Sequence, residues 1–127
     1  MTAPIQVVLD TTAITAYAGA SIAVGEAITM VGEEDAVVAL PVACLAEAYR
    51  QVPDDQLPTV SLLAGHPSVV VVDTNPDDWL ALAGLARDLG QVDAAAALLL
   101  AVDSDGYVLT AQPDAYGNPD ELPVIPI

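Results

Sequence analysis

The sequence contains no lysine, and its only permanent cations are Arg50 and Arg87. That absence removes P-loop nucleotide hydrolysis, Schiff-base catalysis and any other mechanism that needs a lysine ammonium. A single cysteine, Cys44, excludes an internal disulfide. With one histidine, His66, it leaves too few soft ligands for a zinc site built by one chain, so any metal bound here is expected to be held by oxygen. No uninterrupted apolar stretch reaches the roughly 18 to 20 residues that a membrane span needs. The start, Met1-Thr2-Ala3-Pro4, has neither the basic residues nor the apolar block of a signal peptide. The expectation is a cytoplasmic protein without a membrane partner. Internal repeats and low-complexity linkers are missing as well.

Acid is abundant. Eighteen Asp and Glu residues give a formal net charge of -16 over 127 residues. Such a surface repels polyanions at long range, which disfavours unaided nucleic-acid binding and favours bound cations or a basic protein partner. A chain of this length is expected to form one domain over residues 1–127 and to bury about two thirds of its unfolded surface. Its 54% hydrophobic content exceeds what a monomer this small requires. A self-association interface is therefore expected on Leu57 to Ala64 and the early helices.

The strand signals are the apolar runs Ile5 to Leu9, Ala36 to Leu40 and the four valines Val69 to Val72, then Tyr107 to Thr110, with Leu122 to Ile127 as a proline-bearing edge strand. Helical spacing lies between them: Ala13 to Ala18, Ser21 to Val31 with Gly32 as its stop, Val42 to Gln51 and Leu57 to Ala64. A further helix starts at Asn75-Pro76-Asp77-Asp78 and ends at Gly90, and another runs from Asp93 to about Val102. Strands alternating with helices predict an α/β fold with a mostly parallel sheet of about five strands and helices on both faces.

In such a sheet the carboxyl ends of the strands lie along one edge. Asp10 follows the first strand, Asp73 the third, and Asp93 opens a helix. Each has a plain alternative role, since Asp is a preferred N-cap and acids suit the first turn of a helix. Glu47 is less easily explained, because it interrupts the apolar face Val42-Ala43-Cys44-Leu45-Ala46-Glu47-Ala48-Tyr49. A buried, unpaired charge there would cost several kcal/mol, so Glu47 must pair or line a polar cleft. Arg50, at i+3, is the available partner.

The order Asp10-Thr11-Thr12 after the first strand, Glu47 on the helix after the second, and Asp93-Ala94 opening an alanine-rich helix resembles the PIN domain family. Val108-Leu109-Thr110-Ala111 is similar to the family's last catalytic strand, with its Thr-x-Asp motif. The resemblance runs from Ile5 to about Tyr116 and is nearest to the VapC-type toxins of toxin–antitoxin pairs. It implies a PIN-like three-layer fold and a Mg²⁺- or Mn²⁺-dependent ribonuclease. Asp10, Glu47 and Asp93 would be its catalytic, metal-binding residues, with Thr12 and Thr110 supporting them through hydrogen bonds. The implied partners are an RNA substrate, a small basic antitoxin and a second copy of the chain. The sequence departs from the motif at its fourth acid, where Gln112 stands. An amide oxygen can hold a hard cation or a metal-bound water but brings no charge, and Asp114 is the nearest substitute. Arg50 is the arginine placed by sequence to reach a substrate phosphate. The residue types agree with this chemistry, because phosphodiester hydrolysis needs an activated water and neutralised phosphate charge. The alternative is a degenerate, non-catalytic PIN-like protein that binds a basic partner through its acidic surface.

Other features carry less. A receiver-domain reading of Asp73 fails for want of an acidic pair after the first strand and of a lysine. Asp103-Ser104-Asp105-Gly106 lacks the end ligands of an EF-hand loop and is a turn. Cys44 is expected in the core, His66 in a turn, and Trp79 in packing.

Overall fold

The fold is described from a computed structural model, over residues 3–117 and 120–127. Met1 and Thr2 of the leading tetrapeptide therefore lie outside the described residues. The chain runs β1 (Ile5–Leu9), α1 (Thr11–Ala18), α2 (Ile22–Glu33), β2 (Val37–Pro41), α3 (Val42–Gln51), α4 (Leu57–Ala64), β3 (Val69–Val72), α5 (Trp79–Leu89), α6 (Val92–Asp103), β4 (Tyr107–Thr110) and β5 (Val124–Pro126). Short 3-10 turns at Asp54–Gln56, Pro76–Asp78 and Pro113–Tyr116 complete it.

The five strands form one sheet in the order β3-β2-β1-β4-β5, and every pairing is parallel. Parallel neighbours need crossovers, and these are right-handed in nearly all proteins. From β1 the chain steps outward to β2 and β3, then returns across the sheet to β4 and β5. Right-handed crossovers therefore put α1 to α4 on one face and α5 and α6 on the other. The core reflects covering on both sides: Val8, Leu9, Val38, Ala39, Leu40 and Val108 are fully buried. In α6 the run Ala94–Leu98 is buried, its small alanines letting that helix lie close on the strands.

The reversal between β1 and β4 is the topological switch point of the sheet, where open α/β folds bind ligands beyond the strand ends. Asp10 follows β1 at this point, and Thr110 ends β4 beside it.

Some expectations change. Helix α2 runs past Gly32 to Glu33. Gly32 is not a stop; a Cβ there would lie 2.6 Å from the Ser68 hydroxyl, so close packing explains the glycine. The left-handed residue after the helix is Asp35, with φ 58°. Trp79 is 65% exposed and Leu80 67%, contrary to the packing expected of Trp79. The cause is layering, since α6 takes the sheet and α5 lies outside it with no buried residue. Asn75 does cap, accepting from the Asp77 amide, but through the Pro76–Asp78 turn that leads into α5. Gly90 ends α5 in the left-handed conformation, φ 78°. His66 lies in a turn, where its Nδ1 accepts from the Ser68 amide. Among the described residues no single helix is long and apolar enough to cross a membrane; α1 and α2 pass that test only as a pair bent by 107°.

Candidate metal centre

Asp10 is both a cap and the hub of a buried network. It is 4% exposed and caps α1, its Oδ1 accepting from the Ala13 amide at 2.9 Å. The same oxygen accepts from the Thr12 hydroxyl at 2.7 Å. With its proton committed there, Thr12 Oγ1 can only accept from other groups. It accepts from the Ala111 amide at 2.8 Å, and Thr110 Oγ1, 3.1 Å away, must be the donor in their contact. Thr110 in turn accepts from the Gln112 amide at 3.0 Å. One chain of hydrogen bonds thus fastens the end of β4 to the end of β1. Thr12 therefore bonds Asp10 directly, and Thr110 reaches it only through Thr12.

The other Asp10 oxygen, Oδ2, accepts from the Tyr116 hydroxyl at 2.7 Å. Burial, and next the Asp10 charge, push the Tyr116 phenol well above its ordinary range, so it stays a proton donor. Asp93, in the first turn of α6, accepts from the Thr11 hydroxyl at 2.5 Å. The Cys44 thiol donates to the Asp93 backbone carbonyl at 3.1 Å. Burial pushes that thiol up to about 12; a hydrogen bond with Thr11 opposes the shift, while the charges of Asp93 and Asp10 add to it. Cys44 is a core residue, as expected, and no nucleophile near neutral pH.

Above this floor opens a cleft of about 490 Å³ whose lining includes Thr11, Thr12, Glu47, Asp93 and Gln112. Glu47 both lines the cleft and pairs. Its carboxylate accepts from Arg50 Nε at 3.0 and 3.1 Å, from the terminal nitrogen of the same guanidinium, and from Gln51 Nε2 at 3.0 Å. Those hydrogen bonds, Arg50 first and Gln51 second, hold its carboxyl down at about 2. A carboxyl held low keeps its charge until the pH falls towards that value, so the pair is complete above the ordinary carboxylate range and is lost only in strong acid. Arg50→Ala is expected to return the Glu47 carboxyl towards its ordinary 4.5, read by NMR titration of that side chain. Arg50 is 71% exposed, with its guanidinium engaged by Glu47. Asp114 is exposed on the Pro113–Tyr116 turn and does not line the cleft. Asp73 accepts from the Thr74 amide, as a turn residue does.

The donor set is right in kind for Mg²⁺ or Mn²⁺, being carboxylates and one amide, all hard oxygens. As arranged, however, no group of three His, Cys, Asp or Glu side chains among the described residues could hold a metal ion. Two of the three acids are instead engaged by internal donors: the Tyr116 hydroxyl donates to Asp10, and Arg50 to Glu47. Tyr116 and Thr11 are the site residues that sequence reasoning missed. The available signal for Tyr116 was a hydroxyl-bearing aromatic four residues beyond Gln112, in the segment that leaves β4.

No family model matches the chain, and no curated protein sequence matches it significantly. Solved structures do match in shape. VapBC2 from Rickettsia felis, bound to a DNA fragment from its promoter, gives a TM-score of 0.74 at 10% identity, covering 97% of this chain and 99% of that one. VapC20 from Mycobacterium tuberculosis, a sarcin-ricin loop cleaving toxin, gives 0.58 at 14% identity, covering 84% and 88%. PAE2754 from Pyrobaculum aerophilum gives 0.57 at 16% identity, covering 87% and 77%. With its all-parallel five-stranded sheet and acids at the switch point, the chain has the PIN-like α/β fold. Within that class its fold is of the VapC type.

Proposed function

We propose that the chain is the toxin of a toxin–antitoxin pair, a Mg²⁺- or Mn²⁺-dependent endoribonuclease of the VapC type. The observation that carries this reading is the cleft at the switch point, where Glu47, Asp93 and Gln112 line one opening with Thr11 and Thr12, the two residues that follow buried Asp10; Asp10 itself does not line it. Asp10, Glu47 and Asp93 are the groups that would hold the cation. The cation would supply charge neutralisation for the RNA phosphate and an activated water. The protein's own part is to hold Asp10 through Thr12 and Thr110, to orient the cation's shell with the Gln112 amide, and to offer Arg50 to phosphate once it leaves Glu47. The net charge of -16 makes a cation necessary for RNA approach and suits a basic antitoxin. Exposed Ile22, Met30 and Leu62 on α2 and α4 suit a homodimer, and Trp79 and Leu80 on α5 extend the candidate surface. The setting is cytoplasmic.

The non-catalytic alternative is favoured by one specific feature: Gln112 replaces an acid while Tyr116 covers Asp10. Incubating the purified chain with structured RNA separates the two readings. Cleavage that needs Mg²⁺ or Mn²⁺, stops with a chelator and is suppressed by the product of an adjacent reading frame is the expected result. An uncut RNA pool at all metal concentrations, with tight binding of a basic partner retained, would transfer the assignment to the binding protein.

A further inference from the structure

The sheet has two margins, β3 and β5, and they are finished differently. In β5 the Pro123 carbonyl accepts from Val108 and the Ile127 amide donates to Thr110, so the parallel pattern turns Val124 and Pro126 outward. The Val124 amide is closed by the Leu122 carbonyl, and Pro126 has no amide to offer. That margin presents no free N–H between Val124 and Pro126. In β3 the Ser68 carbonyl accepts from the Val38 amide, so Val70 and Val72 bond β2 while Val69 and Val71 face outward. The Val69 amide is closed by the His66 carbonyl. Val71 keeps an outward N–H and C=O and is 44% exposed. The run Val69–Val72 carries none of the proline, charge or bulge that ordinarily blunts an edge strand.

Beside this open edge lies an uncovered strip of sheet, because α6 packs on β1, β2 and β4 and leaves β3 largely bare. A groove follows the edge strand there. It holds about 480 Å³ between Val37, Val70, Val72 and Ser104, and continues past Val72 for about 270 Å³ between Asp73 and the α6 residues Leu99, Leu100 and Asp103. Its floor is apolar, and the charged groups lining it, Asp73, Asp78 and Asp103, are all acids. We infer that the β3 margin is a docking site for an extended segment of a basic protein partner, which adds a strand beside Val71, sets alternate apolar side chains in the groove and brings arginine or lysine to Asp73 and Asp103. Strand addition draws affinity from free main-chain groups and selectivity from pockets for every second side chain, and both are present here. Charge selects the occupant. A second copy of the chain brings another -16 to the same edge, whereas a basic segment meets complementary acids. The groove shares no lining residue with the cleft at the switch point, so the docking site stands apart from the ribonuclease reading.

The probe is a short fluorescent peptide that alternates valine with threonine and carries arginine at each end, titrated into the intact chain and read by anisotropy. Saturable binding that weakens with added salt, together with slower hydrogen exchange at the Val71 amide, is the expected result. Val71→Pro copies the device at Pro126: it removes the outward N–H and no bond to β2, so the fold is kept and peptide affinity should fall by about tenfold or more. Asp73→Asn/Asp103→Asn leaves the edge itself intact, and the asparagine oxygen can still accept from the Thr74 amide. Its peptide affinity should fall by about tenfold, the scale of two surface ion pairs, and lose most of its salt dependence. Equal binding to Val71→Pro would overturn the edge as the docking site, and equal binding of a glutamate-ended peptide would overturn the basic partner. Concentration-dependent dimers that Val71→Pro abolishes would give the edge to a second copy instead. A wild-type chain that binds neither peptide would remove the site altogether.

Discussion

Asp10→Ala is expected to lower the melting temperature by roughly 10 °C, a stability loss of about 2–3 kcal/mol at the 3–5 °C per kcal/mol suited to a chain of this size. The substitution removes the α1 N-cap, which contributes about 1 kcal/mol. It also leaves the buried Tyr116 hydroxyl and the Thr12 proton without their acceptor, at about 1–3 kcal/mol for such orphaned groups. Relief of the buried carboxylate's own desolvation offsets part of this. Asp10→Asn retains an oxygen for Ala13 and Thr12 and offers an amide to Tyr116, so its loss should be about 1 kcal/mol. The pair thus separates the structural role of Asp10 from its charge. Thermal or urea unfolding of both variants checks it, and an Asp10→Ala protein as stable as wild type would show that the cap and network carry no stability. In Asp10→Ala/Tyr116→Phe the donor and acceptor leave together, so the double variant should cost less than the sum of the singles.

The acids and the strands were legible in the sequence because their signals are local. An apolar run ending in Asp-Thr-Thr requires only adjacent residues, and Asn75-Pro76 and Gly90 mark their boundaries by backbone preference. The strand order was not legible, because the position of β4 beside β1 is decided by crossover handedness and packing over a hundred residues. Trp79 shows the same limit. Its placement just inside a helix start is a local fact, but its exposure follows from α6 lying between α5 and the sheet. Glu47 was read correctly as needing a partner or a cleft, and it has both. The contact between Tyr116 and Asp10 spans 106 positions and joins a 3-10 turn to a helix cap, so no periodicity could announce it. Sequence could locate the acids at one edge; which donors cover them is a tertiary property.

Asp93→Asn and Gln112→Asp are expected to act in opposite directions on the same cleft. Asp93 is a charged group of the lining, its Oδ2 oriented by the Thr11 hydroxyl. Asparagine preserves the shape and one oxygen while removing the charge. Under the proposed chemistry, metal-dependent RNA cleavage should fall by a hundredfold or more, since even the groups that merely orient metal ligands are worth about 10- to 100-fold. Unfolding stability should fall by about 1 kcal/mol, because the asparagine oxygen can still accept from Thr11 while the charge on that bond and its favourable place in the first turn of α6 are lost. Gln112→Asp adds a carboxylate to the same lining, where the neutral amide now stands. An added negative charge raises cation affinity and worsens repulsion among the acids when no cation is bound. The variant should therefore bind Mn²⁺ more tightly than wild type and melt at a lower temperature without metal, the two changes having one electrostatic cause. Calorimetry and melting curves with and without Mn²⁺ read both. A Gln112→Asp protein with unchanged Mn²⁺ affinity, or an Asp93→Asn protein that cleaves RNA as wild type does, would remove the cleft from the chemistry altogether.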